Sequence, residues 1–255
     1  MTGVTFEVDP ESYDRFMGRY SQPLALQFVE ELGVRAGQRA LDVGCGPGAL
    51  TVPLVDRLGA DSVTAVDPSE SFVAAMQDRF PDVDVRPASA EQLPFDDDTF
   101  DLVLAQLVVH FMTDALAGIA EMARVTRAGG VIAASVWDHA SGRGPLTPFW
   151  RAAIDLDPAV QGEAALPGTA VGQLEEMFAT AGLGGIKSSL LTITVPFVTF
   201  EEWWEPMTLG VGPAGDYVAR LDDSQRAALR DRCVQHLPQA PFEVRVSARC
   251  VSGRP

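Results

Sequence analysis

Short apolar segments alternate with helix-forming segments through the first 137 of the 255 residues of this chain. The spacing of 20–30 residues from one apolar segment to the next is typical of a parallel sheet with covering helices. The apolar segments carry few polar residues, as expected for strands buried on both faces. The predicted strands are residues 39–43, 62–66, 83–86, 100–105 and 131–137. The predicted helices between and before them are residues 11–33, 49–58, 69–79 and 114–125. The glycine pair Gly129-Gly130 is expected to close the last of these helices.

The pattern changes after residue 137. Residues 138–168 are rich in proline, glycine and alanine, and we expect one short helix there, at 149–154. Two longer alternating segments, 186–198 and 242–250, predict an antiparallel pair of strands at the end of the sheet. We therefore predict a single α/β domain over residues 1–255, with a core at 34–137 and two helical insertions, 138–168 and 199–240, that cap a substrate site.

Charge and composition exclude several classes of protein. The formal net charge of −16 repels phosphate backbones, so we expect no nucleic-acid partner. The most apolar stretch, 102–109, is too short to span a bilayer, and the first 15 residues lack the basic and apolar segments of a signal peptide. The three cysteines and three histidines are scattered, which predicts no disulfide framework and no metal site. We expect a cytoplasmic protein without a membrane partner.

A glycine-rich turn, Leu41-Asp-Val-Gly-Cys-Gly-Pro-Gly48, follows the first predicted strand and precedes a helix. Glycine at such a turn lets a ligand approach the backbone closely, and the helix that follows presents free N–H groups. The spacing differs from the G-x-G-x-x-G pattern of dinucleotide sites, since position 49 is alanine. The turn predicts a small-ligand site at the carboxyl end of the sheet.

Two acidic residues suggest what this ligand carries. Asp42 precedes the first glycine by two residues, and its carboxylate would repel a pyrophosphate but attract an ammonium or sulfonium group. Asp67 follows the second strand, where a carboxylate can accept hydrogen bonds from both hydroxyls of a ribose. Asp67 alone is compatible with a nicotinamide cofactor, and capping of the next helix is the alternative role for it.

Four segments together resemble the class I S-adenosylmethionine-dependent methyltransferases, in particular the small-molecule enzymes related to ubiquinone and menaquinone C-methyltransferases. The resemblance implies a Rossmann-like doubly wound sheet, S-adenosylmethionine as cofactor and a small-molecule methyl acceptor. It leaves the methylated atom (O, N or C) and the oligomeric state open. The four segments are LDVGCGPG at 41–48, VDPS at 66–69, SAEQLPFDDDTFDLV at 89–103 and ARVTRAGGVIAAS at 123–135.

The resemblance also implies roles for individual residues. The residues implied to hold the methionyl part of the cofactor are Asp42, Gly44, Cys45, Gly46 and Gly48, with Gln106 beside them. The residues implied to meet the adenosine are Asp67 at the ribose and Pro68, Ala90 and Glu91 near the adenine. Tyr13 and Arg19, in the segment YDRFMGRY at 13–20, are implied to close over the cofactor.

Methyl transfer needs a general base only if the acceptor must lose a proton. His110, a few residues past the fourth strand, is the candidate base, with a packed core histidine as the alternative. Two other functions stay open at this point. One is a protein that binds S-adenosylmethionine without turnover, and the other is a nicotinamide-dependent oxidoreductase, against which Asp42 argues.

Overall fold

The predicted strands form one seven-stranded mixed sheet in the computed structural model, which describes residues 9–255. The strands are β1 (Ala40–Val43), β2 (Val63–Asp67), β3 (Asp84–Pro87), β4 (Phe100–Gln106), β5 (Thr126–Trp137), β6 (Gly184–Phe197) and β7 (Phe242–Arg254). Their order is β3-β2-β1-β4-β5-β7-β6. The first five strands pair in parallel, and β7 runs antiparallel between β5 and β6. The predicted fold class, a Rossmann-like mostly parallel sheet with an antiparallel last strand, is confirmed.

Helices connect the strands and cover both faces of the sheet. They are α1 (Pro10–Tyr13), α2 (Arg19–Glu31), α3 (Thr51–Leu58), α4 (Glu70–Arg79), α5 (Ala115–Val125), α6 (Thr147–Leu156), α7 (Gln173–Thr180), α8 (Phe200–Trp204), α9 (Gly212–Ala219) and α10 (Asp223–His236). A π-helical turn, Asp14–Gly18, joins α1 to α2. Several helices begin at an oxygen-bearing side chain that accepts a backbone N–H, such as Ser69 before α4 and Asp114 before α5.

Two apolar clusters hold the layers together, one on each face. Tyr20 and Phe28 of α2 pack with Leu54 of α3 and Met76 of α4 against one face of the sheet. Ile119 and Met122 of α5 pack with Leu174 and Phe178 of α7 against the other face. Because β1, β2 and β4 contribute buried side chains to both clusters, their continuous apolar sequences are explained.

The glycine pair Gly129-Gly130 lies in a different place from the one predicted. The pattern predicts that it closes α5, but α5 ends at Val125 and both glycines lie inside β5. A Cβ on Gly130 would lie 2.9 Å from the backbone oxygen of Asp101 in β4, so a close approach of the two strands requires glycine. The pairing of β4 with β5 shifts its register at this point.

The two insertions lie beside each other. Residues 138–168 contain α6 and a short 3-10 turn at Glu163–Ala165, and residues 199–240 contain α8, α9 and α10, of which α10 packs on α6. Within residues 9–255, no helix is long and apolar enough to cross a membrane. The assignment of both insertions to a substrate cap stays a prediction.

Candidate functional site

A cleft of about 520 Å³ opens at the carboxyl ends of β1, β2 and β4, where the glycine-rich turn lies. Parallel sheets of this kind bind ligands at this edge, where the strand order reverses. Most of the residues implied by the resemblance line it. They are Tyr13, Asp42, Gly44, Cys45, Gly46, Asp67, Pro68, Ala90, Glu91 and Gln106.

The glycine-rich turn is held in shape by β2. The backbone N–H groups of Gly44 and Cys45 both donate to the carbonyl of Val66, at 2.8 and 3.0 Å. Gly44 has φ +70°, and a Cβ there would lie 2.6 Å from both methyl carbons of Val108. Glycine is therefore required at this position by the backbone conformation and by the close approach of the residues after β4.

Asp67 connects the turn to the second strand. One carboxylate oxygen accepts the N–H of Gly46 at 2.8 Å, and the other accepts the N–H of Ser69 at 2.9 Å. Burial raises the pKa of Asp67, and these two hydrogen bonds oppose the increase. Ser69, rather than Asp67, caps α4, so the alternative capping role is filled by another residue. This leaves the Asp67 carboxylate at the wall of the cleft.

Asp42 is more deeply buried and lies at the floor of the cleft. Its carboxylate accepts a hydrogen bond of 2.6 Å from the hydroxyl of Thr51 at the start of α3. Burial, together with the nearby charge of Asp67, raises the pKa of Asp42 to about 7, while the Thr51 hydrogen bond lowers it. A cationic group bound beside this carboxylate would offset the cost of burying its charge.

Gln106, the last residue of β4, supplies unused hydrogen-bonding capacity. Its side-chain amide donates to the carbonyl of Ser21 at 3.0 Å. Its Oε1 and the hydroxyl of Ser21 are buried and have no partner among the described residues. Buried polar atoms left in this way are costly, and both residues line the cleft, so the cleft fits a ligand that carries hydrogen-bond donors and acceptors.

Two residues implied by the resemblance do not line the cleft. The guanidinium of Arg19 lies 4.4 Å from the ring centre of Phe197 and donates to the carbonyl of Glu202, so it joins α2 to β6 and α8 instead of closing over a ligand. Gly48 faces α4, since a Cβ there would lie 2.5 Å from the sulfur of Met76. The last glycine of the motif thus serves the packing of the turn on a helix. Both residues therefore lie outside the lining of the cleft, and their assignment to the cofactor stays a prediction.

Glu91 lines the cleft but also has a structural task. Its Oε1 accepts the backbone N–H groups of Thr113 and Asp114, at 2.8 and 3.1 Å, just before α5. Ala90 packs beside it with its side chain buried in the cluster under α5. The carboxylate of Glu91 therefore fixes the loop that forms one wall of the cleft.

A second, smaller cavity of about 30 Å³ lies next to the cleft. Tyr13, Leu107 and Phe111 line both cavities and form the wall between them. Leu107 has φ +63°, a left-handed conformation that is unfavourable for leucine and is a mark of functional sites. Pro145 of the first insertion and Pro213 of the second also line this cavity, so both insertions contribute to it.

His110, the candidate base, lines the second cavity instead of the cleft, together with His139. Both rings are buried, their centres are 6.3 Å apart, and Nδ1 of His110 and Nε2 of His139 have no hydrogen-bond partner among the described residues. Burial lowers the pKa of His110 to about 3, and the nearby ring of His139 contributes to the decrease. Burial lowers the pKa of His139 to about 4, and the negative charge of Asp138 opposes this decrease. Both imidazoles are therefore neutral near pH 7.

The position of His139 is fixed by a buried ion pair. Asp138, which follows β5, is fully buried and binds Arg143 at 2.6 Å and Arg249 at 3.0 Å. The ring of His139 packs on Gly144, where a Cβ would lie 2.4 Å from Nδ1. The loop after β5 is thus rigidly held next to the second cavity.

Glu163 is the residue of this region that sequence reasoning misses. It lines the second cavity, is buried, and accepts a hydrogen bond of 2.7 Å from the indole N–H of Trp150. Burial raises its pKa to about 7. Its only signal in the sequence is an isolated acid within a segment of glycine, alanine and proline, which does not distinguish it from an exposed residue.

Comparison with known proteins identifies the segment that carries the cleft. Residues 41–134 match the family model described as a methyltransferase domain. A demethylmenaquinone methyltransferase of Beutenbergia cavernae is 39% identical over 102 residues, which cover 40% of this chain and 42% of that protein. A malonyl-[acyl-carrier protein] O-methyltransferase of Erwinia billingiae is 33% identical over 138 residues, 52% of this chain and 54% of that protein. The chain thus spans about half the length of these curated relatives.

Solved structures share the fold along almost the whole chain. A Thermotoga maritima protein described as a SAM-dependent methyltransferase and possible histamine N-methyltransferase superposes with a TM-score of 0.60 at 18% identity, over 98% of this chain and 97% of that one. Phosphoethanolamine N-methyltransferase 2 of Haemonchus contortus superposes with a TM-score of 0.59 at 16% identity, over 100% of this chain and 61% of that one. At these identities the likeness shows the fold alone. The family match over residues 41–134, with the demethylmenaquinone methyltransferase, confirms the resemblance predicted from the sequence, to class I S-adenosylmethionine-dependent methyltransferases related to the quinone methyltransferases.

Proposed function

We propose that this protein transfers the methyl group of S-adenosylmethionine to a small-molecule acceptor. The observation that carries the proposal is the cleft at the carboxyl ends of β1, β2 and β4, with two buried carboxylates, two positive-φ glycines and unpaired polar atoms along one wall. The relative named for demethylmenaquinone supports a small-molecule acceptor.

The residues of the cleft divide the cofactor between them. Asp42 and the oxygen of Gln106 would face the charged amino-acid end, and the Gly44–Gly46 backbone would allow it to approach closely. Asp67 would accept the ribose hydroxyls, and Pro68 and Ala90 would border the adenine. When bound, the cofactor supplies a methyl group on a positively charged sulfur that leaves as a neutral thioether. The chain therefore has to position the acceptor, exclude water and take up any proton that the acceptor loses.

Tyr13 supports the closing role implied by the resemblance. Its ring makes an edge-to-face contact with Phe72 of α4, at 5.3 Å between centres, so it reaches across the cleft from the segment before α2. Tyr13 also borders the second cavity. A closed segment at this place would exclude water from the cleft.

Calorimetric titration with S-adenosylhomocysteine, with NADH as the parallel control, tests the proposal. We expect binding of the first and none of the second, and a loss of affinity of about tenfold or more in Asp67→Asn, since one ribose partner is weakened. Asp61→Asn, on the exposed turn before β2, serves as the matched control. Binding of NADH would support the oxidoreductase. Binding of S-adenosylhomocysteine without turnover of any acceptor would support the non-catalytic alternative.

A further inference from the structure

Ser21 has a buried hydroxyl group that the packing of the protein does not use. The residue lies in α2 and is 3% exposed, and its Oγ has no hydrogen-bond partner within residues 9–255. A serine inside a helix commonly donates to a carbonyl of the preceding turn, and Ser21 does not. Because Ser21 lines the cleft, its hydroxyl is available to a ligand there and destabilises the free protein until it is bound.

The backbone carbonyl of Ser21 orients a second group of the cleft. Nε2 of Gln106 donates to this carbonyl at 3.0 Å and joins β4 to α2. Because a carbonyl only accepts hydrogen bonds, the amide of Gln106 turns its nitrogen to Ser21 and keeps Oε1 as an acceptor. Gln106 is 8% exposed and also lines the cleft. The two residues thus give the cleft one hydroxyl donor and one amide acceptor, both unpaired among the described residues.

The glycine-rich turn has no N–H group left for an anion. Every N–H of residues 44–48 already donates within the protein: the donors are Gly44, Cys45, Gly46 and Gly48, and position 47 is proline. The start of α3, which follows the turn, holds the carboxyl group of Asp42 through the hydroxyl of Thr51. When Asp42 is ionised, its charge repels a second carboxylate at this place. An anionic group at this end of the cleft therefore needs a donor from outside the turn.

The other hydroxyl groups along the cleft lie at its adenosine side. Ser69, Ser89 and Thr113 neighbour the residues implied to meet the adenosine, either in the chain or through a hydrogen bond to Glu91. Tyr13 packs on Phe72 of α4, at the same side. Ser21 differs from them because it contacts Gln106, which the resemblance assigns to the methionyl part. Its hydroxyl is therefore the donor of the cleft that serves the amino-acid end.

We propose that the hydroxyl of Ser21 donates a hydrogen bond to the carboxylate at the amino-acid end of the cofactor, while Asp42 and Oε1 of Gln106 hold the ammonium group. The proposal rests on the proposed function and assigns a residue outside the four segments that carry the resemblance. Each partner matches its group, because a carboxylate only accepts hydrogen bonds and an ammonium group only donates them. Hydrogen bonds to charged groups are the stronger class, so Ser21 should contribute measurably to affinity.

Two ligands separate the carboxylate from the rest of the cofactor. They are S-adenosylhomocysteine and its decarboxylated analogue, which keeps the adenosine, the sulfur and the amine. Calorimetric titration of the full chain with each ligand measures the two dissociation constants. We expect Ser21→Ala to weaken the binding of S-adenosylhomocysteine about tenfold, because one hydrogen bond to a charged group is lost. Its affinity for the decarboxylated analogue should stay within about twofold of the wild type.

Ser135→Ala supplies the matched control. Ser135 lies in β5, and its hydroxyl is likewise buried without a partner among the described residues, but it does not line the cleft. This variant should bind both ligands as the wild type does. Thermal unfolding without ligand adds an independent measurement. Ser21→Ala removes a buried hydroxyl that no group satisfies, so its unfolding midpoint should equal or exceed that of the wild type.

Three results would overturn the proposal. Equal weakening of both ligands by Ser21→Ala would mean that the residue shapes the cleft, and a lower unfolding midpoint together with this result would confirm a structural role. Unchanged binding of S-adenosylhomocysteine would mean that the hydroxyl does not contact the ligand. Equal weakening by Ser135→Ala would mean that loss of any buried hydroxyl disturbs the cleft. A failure of the wild type to bind S-adenosylhomocysteine would instead refute the proposed function.

Discussion

The buried carboxyl of Asp42 should make the protein less stable as the pH rises, and Asp42→Asn should remove this effect. Burial raises the pKa of Asp42 from 3.8 to about 7, so the folded state holds a proton that the unfolded state releases between these values. Below pH 3.8 the group contributes no penalty, and above pH 7 the full penalty is present. The side-chain oxygen of asparagine can still accept a hydrogen bond from the hydroxyl of Thr51. The variant therefore keeps this hydrogen bond but has no ionisable group at position 42.

The size of the effect follows from the two pKa values. At 1.36 kcal/mol for each pKa unit, the difference between the two pKa values lowers the free energy of unfolding, relative to its value below pH 3.8. The decrease is about 2 kcal/mol at pH 5 and about 4 kcal/mol at pH 8.5. Urea unfolding of both proteins at these two pH values measures the difference. Asp42→Asn should gain about 2 to 3 kcal/mol relative to the wild type between them. The general effect of a net charge of −16 cancels in this comparison, except for the one charge removed.

Asp56→Asn controls for that one charge, because Asp56 is exposed on α3. It should change the stability by the same small amount at both pH values. If Asp42→Asn also shows no pH-dependent gain, or is less stable than the wild type at pH 8.5, then Asp42 is not held near neutrality by burial. The electrostatic account of the cleft floor would then be refuted. If the gain appears, Asp42→Asn should also bind S-adenosylhomocysteine more weakly. The carboxylate that destabilises the fold is the one expected to attract the charged amino-acid end of the ligand.

Three further substitutions test the packing around the two cavities. Gly44→Ala should lower the free energy of unfolding in urea by about 2 to 4 kcal/mol, because the new Cβ meets Val108 and the residue keeps a positive φ. Adding Val108→Ala to this variant should recover only the part of the loss that comes from the clash, because the positive φ remains. Asp138→Ala should lower the free energy of unfolding by about 1 to 3 kcal/mol, since the fully buried carboxylate that joins Arg143 to Arg249 is removed; an unchanged free energy of unfolding would contradict this. Gly144→Ala should displace the ring of His139 and lower the free energy of unfolding by about 1 to 3 kcal/mol, while S-adenosylhomocysteine binds as before; weaker binding of this ligand would contradict it.

The parallel part of the fold was predictable because its cause is local. Strands buried on both faces must be apolar throughout, and the turn after β1 must be rich in glycine where β2 and Val108 approach it. The same reasoning fails where glycine can be required for either of two structural reasons. Gly130 reads as the end of a helix and is required by the contact of β4 with β5, and Gly48 reads as part of a ligand turn and is required by Met76.

The second cavity shows what a sequence pattern does not contain. Glu163 lies in a segment without helical or strand periodicity. It is buried by Trp150, 13 residues earlier, and by residues of the 199–240 insertion that line the same cavity. Arg19 shows the converse case, since a basic residue next to a ligand segment is equally able to pack on Phe197 of a distant strand. Contacts between elements far apart in the chain decide both positions.

The segment from Tyr13 to Ser21 borders both cavities, and this has a thermodynamic consequence. Tyr13 and Ser21 line the cleft, while Tyr13, Phe16 and Met17 line the second cavity. A ligand that holds this segment against the cleft also holds the side chains that line the second cavity, so we expect the packing of the two cavities to be coupled. Phe16→Ala, which weakens docking without touching the cleft, should therefore reduce the affinity for the ligand of the cleft. The affinity of the cleft for its ligand would then depend on side chains that the ligand does not touch.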